Sequence, residues 1–340
     1  MARADLLKKL FRGYKGGDDS SFIEAAREII DDERKKRHTV LANELSKILE
    51  SGMLKPMSYS FDFDPLPKDS DKGAPLLEIR APDKYLDDLV LSQEQCRTLL
   101  QVLEEFRQWE VLEVNALKPS HKLLFCGPPG CGKTATAEAL ANELGLPLLY
   151  VRFDSVVSSL LGETASNLRK VFDYASRGTW VLLFDEFDAI GRSRADTSEH
   201  GELKRVVNTF LQILDSFSGR SLVIAATNFE QSLDSALWRR FDEITRFEKP
   251  ALPHIELLLK KKLGERLSPK STYKSAAKKL EGMSHAEVER VCLDALKRSV
   301  LKGRKTVSKD DLNEAIERQE YRKQTLMKSQ MDGVPMVDGD

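Results

Sequence analysis

Residues 127–134 read Gly-Pro-Pro-Gly-Cys-Gly-Lys-Thr, which fits the pattern G-x-x-x-x-G-K-[ST]. They follow an apolar run that ends at Cys126 and precede a helix-forming run that begins at Ala135. Glycines let a backbone curve so that successive N–H groups converge, and the following helix directs its positive end to the same place. This order is typical of a phosphate-binding loop, in which Lys133 reaches the terminal phosphates and Thr134 binds magnesium.

Two adjacent carboxylates follow a second apolar run further along the chain. Asp185 and Glu186 come directly after residues 181–184, which read Val-Leu-Leu-Phe. Open α/β sheets bind their ligands at the carboxyl ends of the strands. We therefore expect Asp185 to bind magnesium through its water shell, and Glu186 to orient and deprotonate an attacking water.

Further polar residues lie beyond the next apolar run. Asn228 ends the motif Ala-Ala-Thr-Asn, where its amide can sense a γ-phosphate. Arg239 and Arg240 stand together before the last strand-like run. Phosphoryl transfer develops negative charge at the γ-phosphate, and an arginine finger there raises the rate by roughly 10³–10⁵. We expect the two arginines to supply the positive charge that stabilises it.

The ordered motifs GPPGCGKT, LLFDEFDAIG, AATN, ALWRRFD and GMSHAEVERV resemble those of the AAA subfamily of the AAA+ ATPases, which contains katanin, spastin and FtsH. The resemblance spans residues 85 to 320. It implies ATP and Mg²⁺ as ligands and a homo-oligomeric ring, usually a hexamer, in which Arg239 and Arg240 reach the neighbouring subunit's site. The chain also resembles bacterial AAA proteins encoded beside subtilisin-like proteases, so a separate protease could be its partner.

The resemblance implies a role for each motif position. The catalytic positions are Lys133, Glu186, Asn228, Arg239 and Arg240, and the metal positions are Thr134 and Asp185. The phosphate-binding positions are Gly127, Pro128, Pro129, Gly130, Cys131, Gly132, Lys133, Thr134 and Ala135. The remaining positions are Asp88, Leu89 and Val90 in the adenine wall, Gly282, His285 and Ala286 in a lid motif that closes over adenine, and Leu160, Leu161 and Gly162 in the first pore loop. Val90 and His285 each replace a glycine of the family, and Leu160 replaces an aromatic residue, which removes a stacking surface.

The elements that must position these residues alternate along the chain. Strand-like runs at residues 123–126, 148–153, 180–184, 222–226 and 244–247 are separated by helical patterns, as in a parallel sheet covered on both faces. We expect an α/β P-loop fold with a five-stranded parallel sheet flanked by helices. The expected segments are a helical N-terminal docking segment at 1–54, a linker at 55–80, a large ATPase domain at 81–249, a small helical lid at 250–322 and a flexible tail at 323–340.

Composition restricts the partners. The chain has 53 basic and 54 acidic residues, so no overall field attracts nucleic acid or anionic lipid. No apolar run approaches the ~20 residues that a membrane-spanning helix needs. Four cysteines without paired spacing are typical of a reducing compartment. These features predict a cytoplasmic protein without a membrane span and argue against nucleic acid as a partner.

We therefore expect a magnesium-dependent ATPase whose ring remodels or unfolds protein substrates or complexes. The sequence has no HExxH motif and no recognisable Ser/His/Asp arrangement, so proteolysis would require a separate protein. Two alternatives remain open. The first is a nucleotide-controlled switch for a partner such as a protease, without threading. The second is a nucleic-acid motor of the same fold, against which the near-zero net charge argues.

Overall fold

A computed structural model describes residue 6 and residues 19–35, 64–69, 73–152, 156, 161–187, 199–228, 238–270 and 272–332. The chain divides into two compact units, residues 1–63 and residues 64–340. In the first unit, helix α1 (Asp19–Lys35) buries Ala25 and Ile30, so it has an apolar face. None of the helices in the described ranges combines the length and the apolar character that crossing a bilayer requires.

A six-stranded sheet forms the centre of the second unit. Its strands are β1 (Leu77–Arg80), β2 (Lys122–Cys126), β3 (Leu148–Val151), β4 (Val181–Phe184), β5 (Leu222–Thr227) and β6 (Glu243–Arg246). The strands lie in the order β1-β3-β4-β5-β2-β6. Strands β2 to β6 are parallel to one another, whereas β1 is antiparallel to β3, with Leu77 opposite Val151. The carboxyl ends of β2, β4 and β5 therefore lie at one edge of the sheet.

The five parallel strands confirm the expected sheet, and β1 adds a sixth strand that the sequence analysis missed. This strand lies in the segment 55–80, which was interpreted as a linker. Leu76 and Leu77 are buried, and Asp69 accepts a hydrogen bond of 2.7 Å from Asn167 Nδ2, so this part of the segment packs on the rest of the α/β fold. The segment is rich in proline and aspartate, and its four-residue strand is too short to show a period.

Helices cover both faces of the sheet. They are α2 (Gln93–Arg107), α3 (Trp109–Val114), α4 (Lys133–Leu144), α5 (Leu161–Ser176) and α6 (Glu199–Ser216). On one face, Leu99 of α2 and Leu140 of α4 pack with Phe125 of β2. On the other face, the Phe184 ring lies 5.2 Å from Phe172 of α5 and 5.0 Å from Phe210 of α6, centroid to centroid. Because both faces are covered, β4 and β5 are buried along their whole length.

After the sheet the described chain is helical. The helices are α7 (Leu252–Leu263), α8 (Thr272–Lys279), α9 (His285–Leu301) and α10 (Lys309–Asp332), with a 3₁₀ turn at Gly264–Arg266. They share a core that includes Leu259, Leu280, Val291 and Ile316. We call these helices the lid. Helix α10 continues beyond residue 322, where the sequence analysis placed a flexible tail, because residues 323–332 contain no glycine or proline to end it.

Asp311 stabilises the start of α10. Its buried carboxylate accepts hydrogen bonds from Lys302 Nζ at 2.9 Å, Arg304 Nη2 at 2.7 Å and Ser308 Oγ at 2.8 Å. Burial alone would raise the pKa of the Asp311 carboxyl. The hydrogen bonds from Lys302 and Ser308 and the charge of Arg304 outweigh it, so the pKa lies well below its usual value.

Replacing Asp311 by Ala is expected to lower the free energy of unfolding by about 2 kcal/mol, because the cap and two charged partners are lost. Urea unfolding at neutral pH measures the change, and Asp310→Ala, an exposed carboxylate in the same turn, is the control. Because the folded-state pKa is lowered, the contribution is complete above the unfolded-state pKa of about 4 and disappears as the pH falls through the folded-state value. Equal stability of the two variants at pH 7 would contradict this role.

Candidate functional site

A cavity of about 380 Å³ lies at the carboxyl edge of the sheet, beneath the start of α9. It brings together most of the residues predicted from the sequence. The predicted residues that line it are Asp88, Leu89, Val90, Pro129, Gly130, Cys131, Gly132, Lys133, Thr134, Ala135, Asp185, Glu186, Asn228, His285 and Ala286. Gly127, Pro128, Gly282, Arg239 and Arg240 are not among its lining residues.

The loop between β2 and α4 has the curvature expected of a phosphate cradle. Gly127, Gly130 and Gly132 have φ values of 139°, 73° and 102°, which residues other than glycine rarely adopt. A Cβ atom added at Gly127 would lie 1.9 Å from the Phe247 carbonyl oxygen. Gly127 is thus required where the loop passes the chain leaving β6, although it does not itself line the cavity. Gly132 is the N-cap of α4, so the helix begins at the cavity.

Lys133 connects this loop to the end of β5. Its side chain is buried, and Nζ donates to the carbonyl oxygens of Gly127 at 2.6 Å and Pro128 at 3.0 Å, and to Asn228 Oδ1 at 2.9 Å. Lys133 and Asn228, which were predicted from separate motifs, are therefore in direct contact. This places a cation and a side-chain amide side by side at the strand ends, where a terminal phosphate would lie.

The two carboxylates that follow β4 have different surroundings. Asp185 Oδ2 accepts a hydrogen bond of 2.6 Å from Thr134 Oγ1, and a hydroxyl with a carboxylate is a ligand pair suited to Mg²⁺. Glu186 is exposed, and its N–H donates to Asp185 Oδ1 at 2.9 Å. Glu186 also has a φ of 51°, a left-handed conformation that costs roughly 1–2 kcal/mol outside glycine. The surrounding fold thus holds Glu186 in a strained turn at the edge of the cavity.

The lid contacts the loop directly. The Ala286 N–H donates to the Gly130 carbonyl at 3.0 Å, and a Cβ at Gly130 would lie 2.9 Å from Ser284 Oγ. Gly130 therefore allows the start of α9 to approach the loop. Gly282 has a φ of 79° and lies in the turn before α9, so its position suits a structural role in that turn.

The lid also holds the wall at residues 87–90. Lys261 Nζ donates to the Leu89 carbonyl at 3.1 Å and to the Asp87 carbonyl. Burial lowers the pKa of the His285 imidazole, which favours its neutral form, although a hydrogen bond to the Val90 backbone opposes this effect. The sequence analysis did not predict Lys261. It also did not predict Leu258 and Lys262, two residues that line the cavity. Three consecutive lysines near the end of a helix indicate only a favourable interaction with its dipole.

Replacing Lys261 by Met is expected to weaken ATP binding by about threefold to tenfold, because the wall loses the two hydrogen bonds that Lys261 donates to it. Titration with a fluorescent ATP analogue measures the affinity. Lys260→Met is the matched control, since Lys260 lies on the same helix and pairs with Glu256 at 2.7 Å, away from the cavity. If both variants bind ATP equally well, Lys261 does not position the wall.

The two predicted arginines remain apart from this cavity. Arg239 and Arg240 are exposed, and Arg240 forms an ion pair with Asp215 of α6. Leu160 of the predicted pore loop lies outside the described residues, and α5 begins directly after it at Leu161, with Gly162 in its first turn. The geometry thus joins the loop, β4, β5 and the lid, and leaves the arginines on the surface of their own chain.

The chain is similar to known proteins over the same region. The family model described as "ATPase family associated with various cellular activities (AAA)" matches residues 123–249. An uncharacterized AAA family ATPase, y4kL of Sinorhizobium fredii, is 44% identical over 93% of this chain and 95% of its own length. The ATP-dependent zinc metalloprotease FtsH of Mycoplasmopsis synoviae is 32% identical over 73% of this chain and 38% of its own length. The proteasome-activating nucleotidase of Methanopyrus kandleri is 31% identical over 75% of this chain and 61% of its own length. Extended similarity to y4kL, together with the loop and carboxylates at one cavity, shows that this chain is an ATPase of the AAA family.

Proposed function

We propose that this protein acts as a ring that uses ATP hydrolysis, with Mg²⁺, to remodel or unfold protein substrates or complexes. The observation that carries the proposal is the convergence of the phosphate loop, the β4 carboxylates, Asn228 and the lid on one cavity. A lid that bonds to the loop gives nucleotide chemistry a direct mechanical connection to a helical domain. Such a connection is what an ATP-driven remodelling protein requires.

Each residue at the cavity has a role in this mechanism. The loop N–H groups and Lys133 would bind the β- and γ-phosphates. Thr134 and Asp185 would hold Mg²⁺, whose charge neutralises the phosphate oxygens. Glu186 would accept a proton from water as its oxygen bonds to the γ-phosphorus and the bond to the ADP oxygen breaks. Asn228 would orient that water or the γ-phosphate from beside Lys133.

The site would be completed by a second copy of the chain. Arg239 and Arg240 are exposed and do not line their own chain's cavity, as a residue that acts on a neighbour's γ-phosphate requires. The Arg240 guanidinium would leave Asp215 for the phosphate of the adjoining subunit. This arrangement makes hydrolysis depend on assembly of the ring.

The names of two relatives support a polypeptide substrate. One is an ATP-dependent metalloprotease and the other a proteasome-activating nucleotidase, so both names connect ATP use to proteolysis. Leu160, together with Leu161 and Gly162 at the start of α5, would grip an extended polypeptide in the ring's channel. A separate protease is the corresponding partner of this chain.

Substrate-stimulated hydrolysis tests the proposal. An unfolded protein such as casein is expected to raise the ATPase rate of the wild type, and Leu160→Ala is expected to remove most of that increase. Leu100→Ala, which truncates an exposed leucine of α2, is the control and should respond as the wild type does. If casein has no effect, or if Leu160→Ala responds fully, threading is wrong and a nucleotide-controlled switch is the better account.

A further inference from the structure

Helices α9 and α10 form a groove of about 520 Å³ on the outside of the lid. Residues three and four positions apart on each helix face it. The lining residues used below are Arg290, Asp294 and Lys297 of α9 and Arg318, Tyr321 and Arg322 of α10. We call this surface the α9–α10 groove. None of its lining residues lines the nucleotide cavity, so it is a separate feature of the lid.

The groove concentrates positive charge. Four cationic side chains and one carboxylate line it, which leaves a net charge of +3 in a chain whose total is −1. The one carboxylate, the half-buried Asp294, lies 4.0 Å from the exposed Arg318, so it neutralises at most one of the four cations. In the described part of the chain, no ion pair involves Arg290, Lys297 or Arg322. Cations gathered in this way repel one another until an anionic partner neutralises them.

Exposed apolar side chains adjoin the cations. Leu293, Val300 and Leu301 follow the same stripe of α9 as Arg290 and Lys297, and Leu301 is 85% exposed. Tyr321 is 72% exposed on α10. Exposed apolar side chains beside cations favour contact with protein, because the phosphates of a nucleic acid would leave these side chains uncovered. The combination therefore favours a polypeptide over a nucleic acid.

We propose that the α9–α10 groove binds an acidic polypeptide segment that also carries apolar side chains. Its carboxylates would pair with Arg290, Lys297 and Arg322, and its apolar side chains would cover Leu301 and Tyr321. This inference rests on the proposed function, in which the ATPase acts on proteins. It adds the chemistry of the segment that the lid would recognise. The groove would thus recruit a substrate or partner to the lid.

Fluorescence anisotropy with the full-length protein tests this directly. The probe is a short fluorescein-labelled peptide of repeated Asp-Glu-Leu, compared with an Asn-Gln-Leu peptide of the same length. The wild type is expected to bind the acidic peptide, more weakly as salt rises. The double substitution R290E/R322E is expected to weaken that binding by about tenfold or more. The milder R290Q/R322Q is expected to have an intermediate effect, and circular dichroism verifies that each variant is folded.

The controls separate this proposal from others. K274E/K278E makes the same charge change at exposed lysines of α8 in the same lid, and it should bind the acidic peptide as the wild type does. No binding by the wild type, or equal binding by R290E/R322E, would overturn the proposal. Preference for an oligothymidine over the peptide, or a change in ring size in R290E/R322E, would assign the groove to nucleic acid or to a second copy instead. The ATPase rate without peptide reports separately on the proposed function, since the groove is not part of the nucleotide cavity.

Discussion

Replacing Glu186 by Gln is expected to lower kcat for ATP hydrolysis by about 10²–10⁴-fold while ATP still binds. Glutamine keeps the shape of the side chain but cannot accept the proton of the attacking water. The left-handed conformation at Glu186 is a property of the backbone, and the hydrogen bond to Asp185 is donated by the backbone N–H of Glu186. The substitution therefore leaves both intact. Phosphate release measures hydrolysis, and a fluorescent ATP analogue measures binding.

A matched control uses the same substitution elsewhere in the cavity. Glu289 also lines it and forms an ion pair with Lys262 of the lid. Glu289→Gln should alter ATP affinity more than kcat, because it changes the contact between two lid helices. Glu289 takes no part in the proton transfer. If Glu186→Gln hydrolyses ATP at the wild-type rate, another group activates the water and the assignment from the β4 motif is wrong.

Replacing Arg240 by Ala is expected to lower the hydrolysis rate by roughly 10³–10⁵, the usual effect of an arginine finger. Binding of ATP should change little, because Arg240 does not line the cavity of its own chain. The control is Arg220→Ala, which removes another exposed arginine that pairs with a carboxylate, Glu113, at 2.6 Å. Loss of hydrolysis in both variants, or in neither, would contradict a specific role of Arg240.

The sequence predicted the centre of this fold well because its signals are local. Four apolar residues followed by Asp185 and Glu186 identify both a buried strand and the edge at which it ends. In the same way, apolar runs followed by the motifs of Lys133 and Asn228 identify β2 and β5 and the edge at which these strands end. Parallel pairing then brings residues from three separate motifs to one edge, as Lys133 and Asn228 at 2.9 Å illustrate.

Features that depend on tertiary contacts were not accessible from the sequence. Strand β1 has four residues, and it owes its conformation to pairing with β3 and to burial of Leu77. Lys261 resembles an ordinary lysine near a helix end, and only the fold places it on the carbonyls of Asp87 and Leu89. The proposed role of Arg240 involves a neighbouring subunit, whereas in its own chain this arginine is exposed and pairs with Asp215.

The central claim is that one subunit binds ATP and the next supplies the arginine that completes the site. Mixing Glu186→Gln with Arg240→Ala and measuring phosphate release tests it most directly. Each variant alone is expected to be nearly inactive, but mixed rings contain interfaces that pair an intact Glu186 with an intact Arg240, so activity should reappear. Verified mixed rings that release no phosphate at any ratio would contradict the shared site.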